Sequence, residues 1–392
     1  MEKLFPSALL ITLLLYGCNS GPADTPTETA IPVTISQSDA FEDQVSAYIK
    51  NYPYQETYKY IQFYTGASVE GLNVWFWPPE PSLTKAGEDK VVRMNNDTFY
   101  NGIVLDLSEG PVTLGTEPAN DRFYSFQLQD DRNANYANII QPEGEYTFYY
   151  GEKPENIVGK AVEAASELSI IIVRIEVKDK DDAQDVAAAT KAYKSLTSSG
   201  EQPAEYQIVD VLSQFSEEVV AEAEMRINEK FMNSEVPDIV LNFGQELGTD
   251  LSYLAHAAAA KGVWGGPDSN HSMYDTLFDD INGEQLDSQK GTYAVTTEAP
   301  NVDGFWSVTA YDTDRGGFFH PNKDDRYHFN EATAVVNSDG TYTFTFKQEC
   351  HKADINCLEV PKGHFDIVAR YYLPSEEIKN REWIFPNLEL QE

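Results

Sequence analysis

VVRMNNDTFYNGIVLDL, residues 91–107, decides how the first half of the chain is read. Apolar and polar residues alternate along it, which is the period-two signature of a strand with one face buried. Runs of the same kind follow at regular intervals: PVTLGT (111–116), RFYSFQLQD (122–130), NYANII (135–140), YTFYYG (146–151) and SIIIVRIEV (169–177). Gly, Pro, Asn and Asp separate them, and the last is apolar enough to be buried on both faces. This is the pattern of a β-sandwich or jelly roll.

Strands return after residue 290 as TYAVTTEAP, GFWSVTAYDT, TAVVNSDGTYTFTF and HFDIVARYYLP, with Ser338-Asp339-Gly340 as a hairpin turn. Between the two β regions lie helical patterns. DDAQDVAAATKAYKSL (181–196) starts acidic and ends basic, as the helix dipole favours. VDVLSQFSEEVVAEAEMRINEKFM (209–232) and the Ala-rich TDLSYLAHAAAAKGV (249–263) follow, the latter carrying His256, read as a packing histidine. Ahead of the first strand, Val45, Tyr48 and Ile49 share one helical face, and Pro53 is expected to interrupt that helix before a second helical piece. The expected fold class is mainly β with helices (α+β): two β-sandwich or jelly-roll-like domains joined by a helical middle segment. The expected boundaries are 39–180, 181–265 and 266–392.

The first residues, MEKLFPSALLITLLLYGC, combine Lys3, an apolar run too short to span a bilayer, and Cys18 in a Leu-Tyr-Gly-Cys context that resembles the bacterial lipobox. Residues 1–17 then read as a lipoprotein signal peptide, with Cys18 lipidated. Residues 18–38, rich in Pro and Thr, read as a flexible tether. The expected location is the cell envelope, lipid-anchored in the periplasm or at the outer membrane, so a membrane is one partner. Of the remaining cysteines, Cys350 and Cys357 flank HKADIN; in an exported protein they are expected to form a disulfide, a metal site being the alternative at a spacing that is not standard for zinc.

The 392 residues hold 64 acidic and 28 basic side chains, a formal charge of −36. Such a field repels nucleic acid and acidic membrane surfaces, so neither DNA nor RNA is an expected partner. No zinc signature, P-loop, dinucleotide fingerprint or nucleophile elbow occurs, and no cofactor or metal is expected. The carboxylates of DINGEQLD lack the terminal ligand of a calcium loop and read as a turn.

RMNNDTFYNGIVLDLSEGPVTL followed by DRFYSFQLQDDRNAN resembles the first half of bacterial proteins that carry paired DUF1254 and DUF1214 domains. TYAVTTEAPNVDGFWSVTAYDTDRGGFFHPNKDDRYHF, with YYLPS and REWIFP, resembles the DUF1214 half. The resemblance spans about residues 42–390 and implies two β-sandwich-like units with intervening helices; it implies little about activity. This chain departs from the family's turn, an apolar segment followed by Pro-Asn and Arg-Tyr, by placing His320 before Pro321-Asn322 and charged residues at 323–325.

Two polar clusters are candidates for chemistry. Asn95, Asn96 and Asp97 sit in a strand-like run where such residues are depleted, next to Tyr100. Arg122 and Tyr124 are expected to line the same face. The alternative is an Asx turn. The second cluster is FFHPNKDDRYHF (318–329), which holds two of the six histidines together with Asn322, Arg326 and Tyr327. Its alternative is a solvated loop with weak surface pairs. His, Tyr, Arg and Asn without a nucleophilic triad suit proton abstraction beside a carboxylate, with a base, a charge clamp and an acid. The expected activity is therefore β-elimination on uronic-acid-containing oligosaccharides, of dehydratase or lyase type, in polysaccharide degradation. A non-catalytic ligand-binding or envelope-assembly lipoprotein is the alternative. The candidate catalytic residues are His320, Tyr327, Tyr100 and Arg326. The candidate substrate-binding residues are Asn95, Asn96, Asp97, Arg122, Tyr124, Asn322 and Trp306, the indole being suited to stacking on a sugar ring. The partner expected of this site is a small acidic oligosaccharide.

Overall fold

The computed structural model describes residues 41–76, 80–89, 92–233, 250–351 and 353–391. Cys18, the signal peptide and the tether lie outside the described residues. Among the described residues no helix is long and apolar enough to cross a membrane.

The chain opens with helix α1 (Phe41–Thr65) and a single 3-10 turn (Val69–Gly71). The first β unit follows: β1 (Thr98–Asp106), β2 (Val112–Thr116), β3 (Tyr124–Asp130), β4 (Asn135–Ile140), β5 (Gly144–Tyr149), β6 (Lys160–Glu163), β7 (Leu168–Glu176), helix α2 (Ala183–Lys194) and β8 (Thr197–Ser199). Helices α3 (Glu217–Asn233) and α4 (Asp250–Val263) intervene. The second unit holds β9 (Ser272–Leu277), β10 (Tyr293–Thr297), β11 (Trp306–Asp312), β12 (His328–Asn330), β13 (Tyr342–Lys347), β14 (Cys357–Glu359), β15 (Phe365–Tyr372), a short α5 (Glu376–Lys379) and β16 (Glu389–Leu390). The fold is mainly β with helices: two β domains, each of two four-stranded sheets.

In the first domain the sheets have the orders β1-β7-β3-β4 and β6-β5-β2-β8. Strand alternation sends Phe99, Phe126, Ile171 and Val173 from one sheet, and Leu114 and Phe148 from the other, into one apolar core. Helix α2 closes that core with Ala189, Ala192 and Tyr193, and β8 then returns to the second sheet, so this domain extends to Ser199. In the second domain the orders are β12-β11-β15-β9 and β14-β13-β10-β16, with Trp306, Val308, Ile367, Phe344 and Phe346 between them.

Helices α1, α3 and α4 form a separate packed group around Val45, Tyr52, Ala223, Ile227 and Ala257. Helix α1 runs unbroken through Pro53, against the expected interruption. Proline cannot donate to the carbonyl four residues back. Burial of Val45, Tyr48, Ile49 and Tyr52 before it and Ile61 after it holds the axis together. His256 is buried in this group, its Nε2 2.7 Å from the Arg132 carbonyl.

Cys350 and Cys357 are disulfide-bonded, the pairing expected from the sequence, and His351 is an exposed loop residue beside them. The bond closes a loop over a sequence separation of 7. Loop-closure entropy for so short a loop corresponds to about 2 kcal/mol. Denaturant unfolding of the double variant C350A/C357A is expected to show a loss of that order; an unchanged midpoint would mean that the bond stabilises nothing.

Candidate functional site

The inner sheet of each domain has an apolar face turned to its own core and a polar, aromatic face turned to the other domain. On β7, Ile171, Val173 and Ile175 enter the core, so Ile170, Ile172 and Arg174 point outward. Antiparallel pairing sets Tyr100 and Ser125 opposite Arg174, and Gly102 and Gln127 opposite Ile172. On β15, Ile367, Ala369 and Tyr371 enter the second core, leaving Asp366, Val368, Arg370 and Tyr372 outward, with Tyr274 on β9 opposite Arg370.

The two outward faces meet around a half-open cavity of about 130 Å³. Spacing along β7 gives the cavity a polarity, because Arg174 and Ile170 stand about 13 Å apart. The Ile170 end is aromatic. Helix α1 presents Tyr60 and Tyr64, one turn apart; Tyr60 stacks on Trp264 at 3.7 Å and Tyr64 on Phe76 at 4.5 Å. Phe76 lies over Gly102, where a Cβ would come within 2.5 Å of its ring. Glycine at 102 makes room for that wall.

The other end is cationic. Arg93, from the loop before β1, is neutralised by Asp366, with Nε and Nη2 at 2.8 and 3.0 Å from its two oxygens. Arg370, 1% exposed, donates to the Arg93 carbonyl and the Tyr311 hydroxyl, both at 2.7 Å, and to Thr309 Oγ1 at 3.0 Å. The buried Asp97 carboxylate is its nearest counter-charge. Arg174, 3% exposed, donates from Nη1 to Gln127 Oε1, bonds the Tyr100 hydroxyl and lies 5.3 Å from the Tyr100 ring. Its Nε has no hydrogen-bond partner, and among the described residues no carboxylate pairs with it. An unpaired buried cation is costly, and a carboxylate placed in the cavity would remove that cost.

The surrounding ionisations follow from burial. Burial drives the Tyr274 phenol upward although Arg174 and Arg370 oppose it, so it stays protonated. Burial, reinforced by the Arg174 charge, holds His271 well below the usual histidine range and therefore neutral. At the end of β7, burial pushes Glu176 up to about 7, and Glu331 adds to the effect. The native state therefore holds a proton on Glu176 between its ordinary value of 4.5 and about 7. The stability tied to that proton is fully present below the lower value and is lost as pH rises through the upper one. Relative to the wild type, Glu176→Gln should gain about 3 kcal/mol across that window in paired urea titrations; a pH-independent difference would mean that Glu176 ionises normally.

A comparison with protein families matches residues 76–197 to a protein of unknown function, DUF1254, and residues 271–376 to a second, DUF1214. The chain belongs to the family of paired DUF1254 and DUF1214 proteins. The VPA0106 protein of Vibrio parahaemolyticus has a crystal structure with TM-score 0.68 over 90% of this chain and 100% of its own, at 20% identity. An uncharacterised protein from Burkholderia cenocepacia aligns with TM-score 0.45 at 12% identity over 92% of each chain. No curated protein matches the sequence. The cavity lies between the DUF1254 and DUF1214 halves; the first supplies the buried Arg93 and Arg174 and the second the buried Arg370.

Of the residues singled out in the DUF1254 half, Tyr100 and Asn95 line the cavity. Residues 95–97 precede β1 instead of lying within it. Arg93 has φ 48°, and Asn95 Oδ1 accepts the backbone N–H groups of Asp97 and Thr98, so this is an Asx turn wedged between the domains. Asn95 Nδ2 reaches the Tyr372 hydroxyl, Asn96 Nδ2 the Thr84 carbonyl, and Asp97 the Ser307 hydroxyl. Arg122 sits apart, paired with Asp121 and Asp185. Tyr124 points into the apolar core and bonds Thr116 at 2.6 Å; Ser125 and Gln127, of the opposite strand parity, face the cavity side.

In the DUF1214 half, the 318–329 stretch is a loop that runs into β12 at His328, and none of its residues lines the cavity. Asn322 Oδ1 accepts the Arg326 N–H at 3.0 Å, and Arg326 reaches Asp181 at 2.8 Å. Tyr327 is buried, stacked on Phe319, and donates to Asp325. His320 is half-buried, its Nδ1 4.0 Å from Asp312, and burial lowers its pKa. Trp306 lies inside the second core against Tyr342. The cavity residues not expected from sequence are Arg174, Arg370, Tyr274 and the aromatic wall. Their signal was a single arginine inside each of two otherwise apolar strand runs, SIIIVRIEV and FDIVARYY.

Proposed function

We propose that the cavity binds one uronate ring of an acidic oligosaccharide and carries out β-elimination on it. The observation that carries this reading is Arg174: buried, bare of carboxylate partners among the described residues and facing the half-open cavity. An engineered cavity of ~150 Å³ takes up benzene, so the enclosed part of this one takes the carboxylate-bearing edge of a sugar ring, while the half-open mouth leaves the rest of the glycan outside. Arg174, supported by Arg370, would balance the charge that grows on the carboxylate as the C5 proton leaves. Tyr100, its oxygen bonded to Arg174, is the group placed to receive that proton. The electron pair forms the C4–C5 double bond, the C4–O bond breaks, and the neutral Tyr274 phenol protonates the departing oxygen. Water or a sugar alcohol leaves, and an unsaturated uronate remains. The aromatic wall suits the apolar face of the ring.

The same geometry supports a carboxylate-binding protein without turnover, and one assay separates the two. Ultraviolet absorbance of the new double bond is expected when the protein meets a panel of uronic oligosaccharides, and it should vanish in Arg174→Gln. Binding without absorbance leaves the non-catalytic reading. Failure of every uronate to bind overturns both. The lipid anchor at Cys18 belongs to the same proposal: an envelope protein would meet such glycans outside the cell. Labelled fatty acid should enter the wild type and not Cys18→Ala; equal labelling would remove the anchor.

A further inference from the structure

Behind the cavity, four buried side chains form one hydrogen-bonded line. Ser125 Oγ is 2.8 Å from His271 Nε2, His271 Nδ1 is 3.2 Å from Ser272 Oγ, and Ser272 Oγ donates to the Tyr274 hydroxyl at 3.3 Å. All four residues are buried. The line crosses the domain boundary, since Ser125 belongs to β3 and the others to the segment opening the DUF1214 half.

The direction of the line follows from its last bond, in which Ser272 donates to Tyr274. A neutral imidazole has one N–H and one acceptor. The Ser272 proton is committed to Tyr274, so the Ser272 oxygen must receive a hydrogen bond, and the only donor in line is His271 Nδ1–H. Nε2 is then the acceptor, filled by the Ser125 hydroxyl. Burial and the neighbouring Arg174 keep the ring neutral, which this arrangement requires. Phe123 and Tyr372 pack edge-on against the same imidazole and offer it no competing acceptor. Every proton therefore points toward Tyr274. The Tyr274 oxygen accepts from Ser272, and its own O–H has no acceptor among the described residues. The charged and titratable groups that act on it most strongly are Arg174, Arg370, Tyr100 and Tyr372.

We propose that Tyr274 is the proton donor to the bound ligand and that His271, acting through Ser272, is a positioning residue that turns the Tyr274 hydroxyl into the cavity. The assignment rests on the elimination reading above. In that reaction the Tyr274 O–H bond breaks, its proton joins the departing oxygen, and the C–O electron pair goes with that oxygen. The phenolate left behind lies between two guanidinium groups and is reprotonated with the proton held by Tyr100 once product leaves. Ser125 ends the line, so the line orients Tyr274 and supplies no proton of its own.

Nitrogen-15 NMR of histidine-labelled protein, with His271 assigned by His271→Gln, tests the direction without any ligand. His271 is expected to stay neutral with its proton on Nδ1 between about pH 5.5 and 8. An Nε2–H tautomer, or an imidazolium, overturns the proposal. Turnover of an oligogalacturonide tests the role. Tyr274→Phe should keep KM within about threefold and lose at least ~100-fold in kcat. Ser272→Ala should lose about tenfold in kcat alone, with Ser272→Thr restoring it. Normal turnover by Tyr274→Phe sinks the proposal while leaving the cavity reading intact, provided Arg174→Gln still loses binding. If Arg174→Gln binds and turns over as the wild type does, the cavity reading itself fails.

Discussion

Arg174→Met should abolish uronate binding and yet leave the protein within about 1 kcal/mol of wild-type stability. The two halves of this expectation come from one fact. In the free protein the Arg174 guanidinium is buried without a carboxylate and its Nε is unpartnered. Replacing buried ionic groups with apolar ones of similar volume is often neutral or stabilising by ~1–4 kcal/mol. Against this stands the Gln127 Oε1 acceptor, which loses its donor at a cost of ~1–3 kcal/mol. These terms are of similar size and opposite sign. Binding has no such compensation: losing a buried charge-assisted contact costs ~2–5 kcal/mol, at least thirtyfold in Kd. Calorimetric titration with galacturonate and urea unfolding of the same variant give the two numbers. A stability loss above ~3 kcal/mol would make Arg174 a structural ion.

Asp366→Ala should be the opposite kind of variant, costing ~3–5 kcal/mol in stability. Asp366 is fully buried and binds Arg93 through both oxygens, with Thr313 Oγ1 at 2.7 Å. Removing it strands the Arg93 charge in a buried site. The damage spreads because Arg93 also ties the domains through its backbone, its N–H to the Gly317 carbonyl and its carbonyl to Arg370. Loosening at residues 93–97 therefore reaches the cavity, so ligand affinity should fall along with stability. A loss under ~1 kcal/mol would show that water reaches Arg93 and that the pair behaves like a surface salt bridge. The contrast between Arg174 and Asp366 distinguishes a charge kept for a ligand from a charge kept for the fold.

The architecture was legible because strand periodicity is a local signal. VVRMNNDTFYNGIVLDL announced β1, although its first third is an Asx turn whose geometry depends on Arg93 having a positive φ. Short strands such as β8, β12 and β14, each of 3 residues, carry too few positions for a period and exist only because a neighbour's edge recruits them. The course of α1 through Pro53 is likewise set by packing against α3 and α4, which no local rule contains.

The site was half legible. Asn95 and Tyr100 stood out as polar residues in a strand-like run, and they do line the cavity. The charged FFHPNKDDRYHF loop drew more attention than its position warrants, since density of charge in sequence says nothing about burial. Arg326 and Asp181 satisfy each other near solvent. Arg174 and Arg370 each looked like one polar residue in an apolar strand. Only the facing of two sheets, separated by well over a hundred residues of chain, turns them into a pair of cations around one space.

The most direct test of the central claim is a calorimetric comparison of galacturonate with galactose on the wild type and Arg174→Gln. The two sugars differ in the carboxylate, so the arrangement predicts that the wild type binds the acid at least ~10-fold more tightly and that the variant loses that preference. Equal affinity of the wild type for the two sugars, or an acid preference that survives in Arg174→Gln, would contradict it.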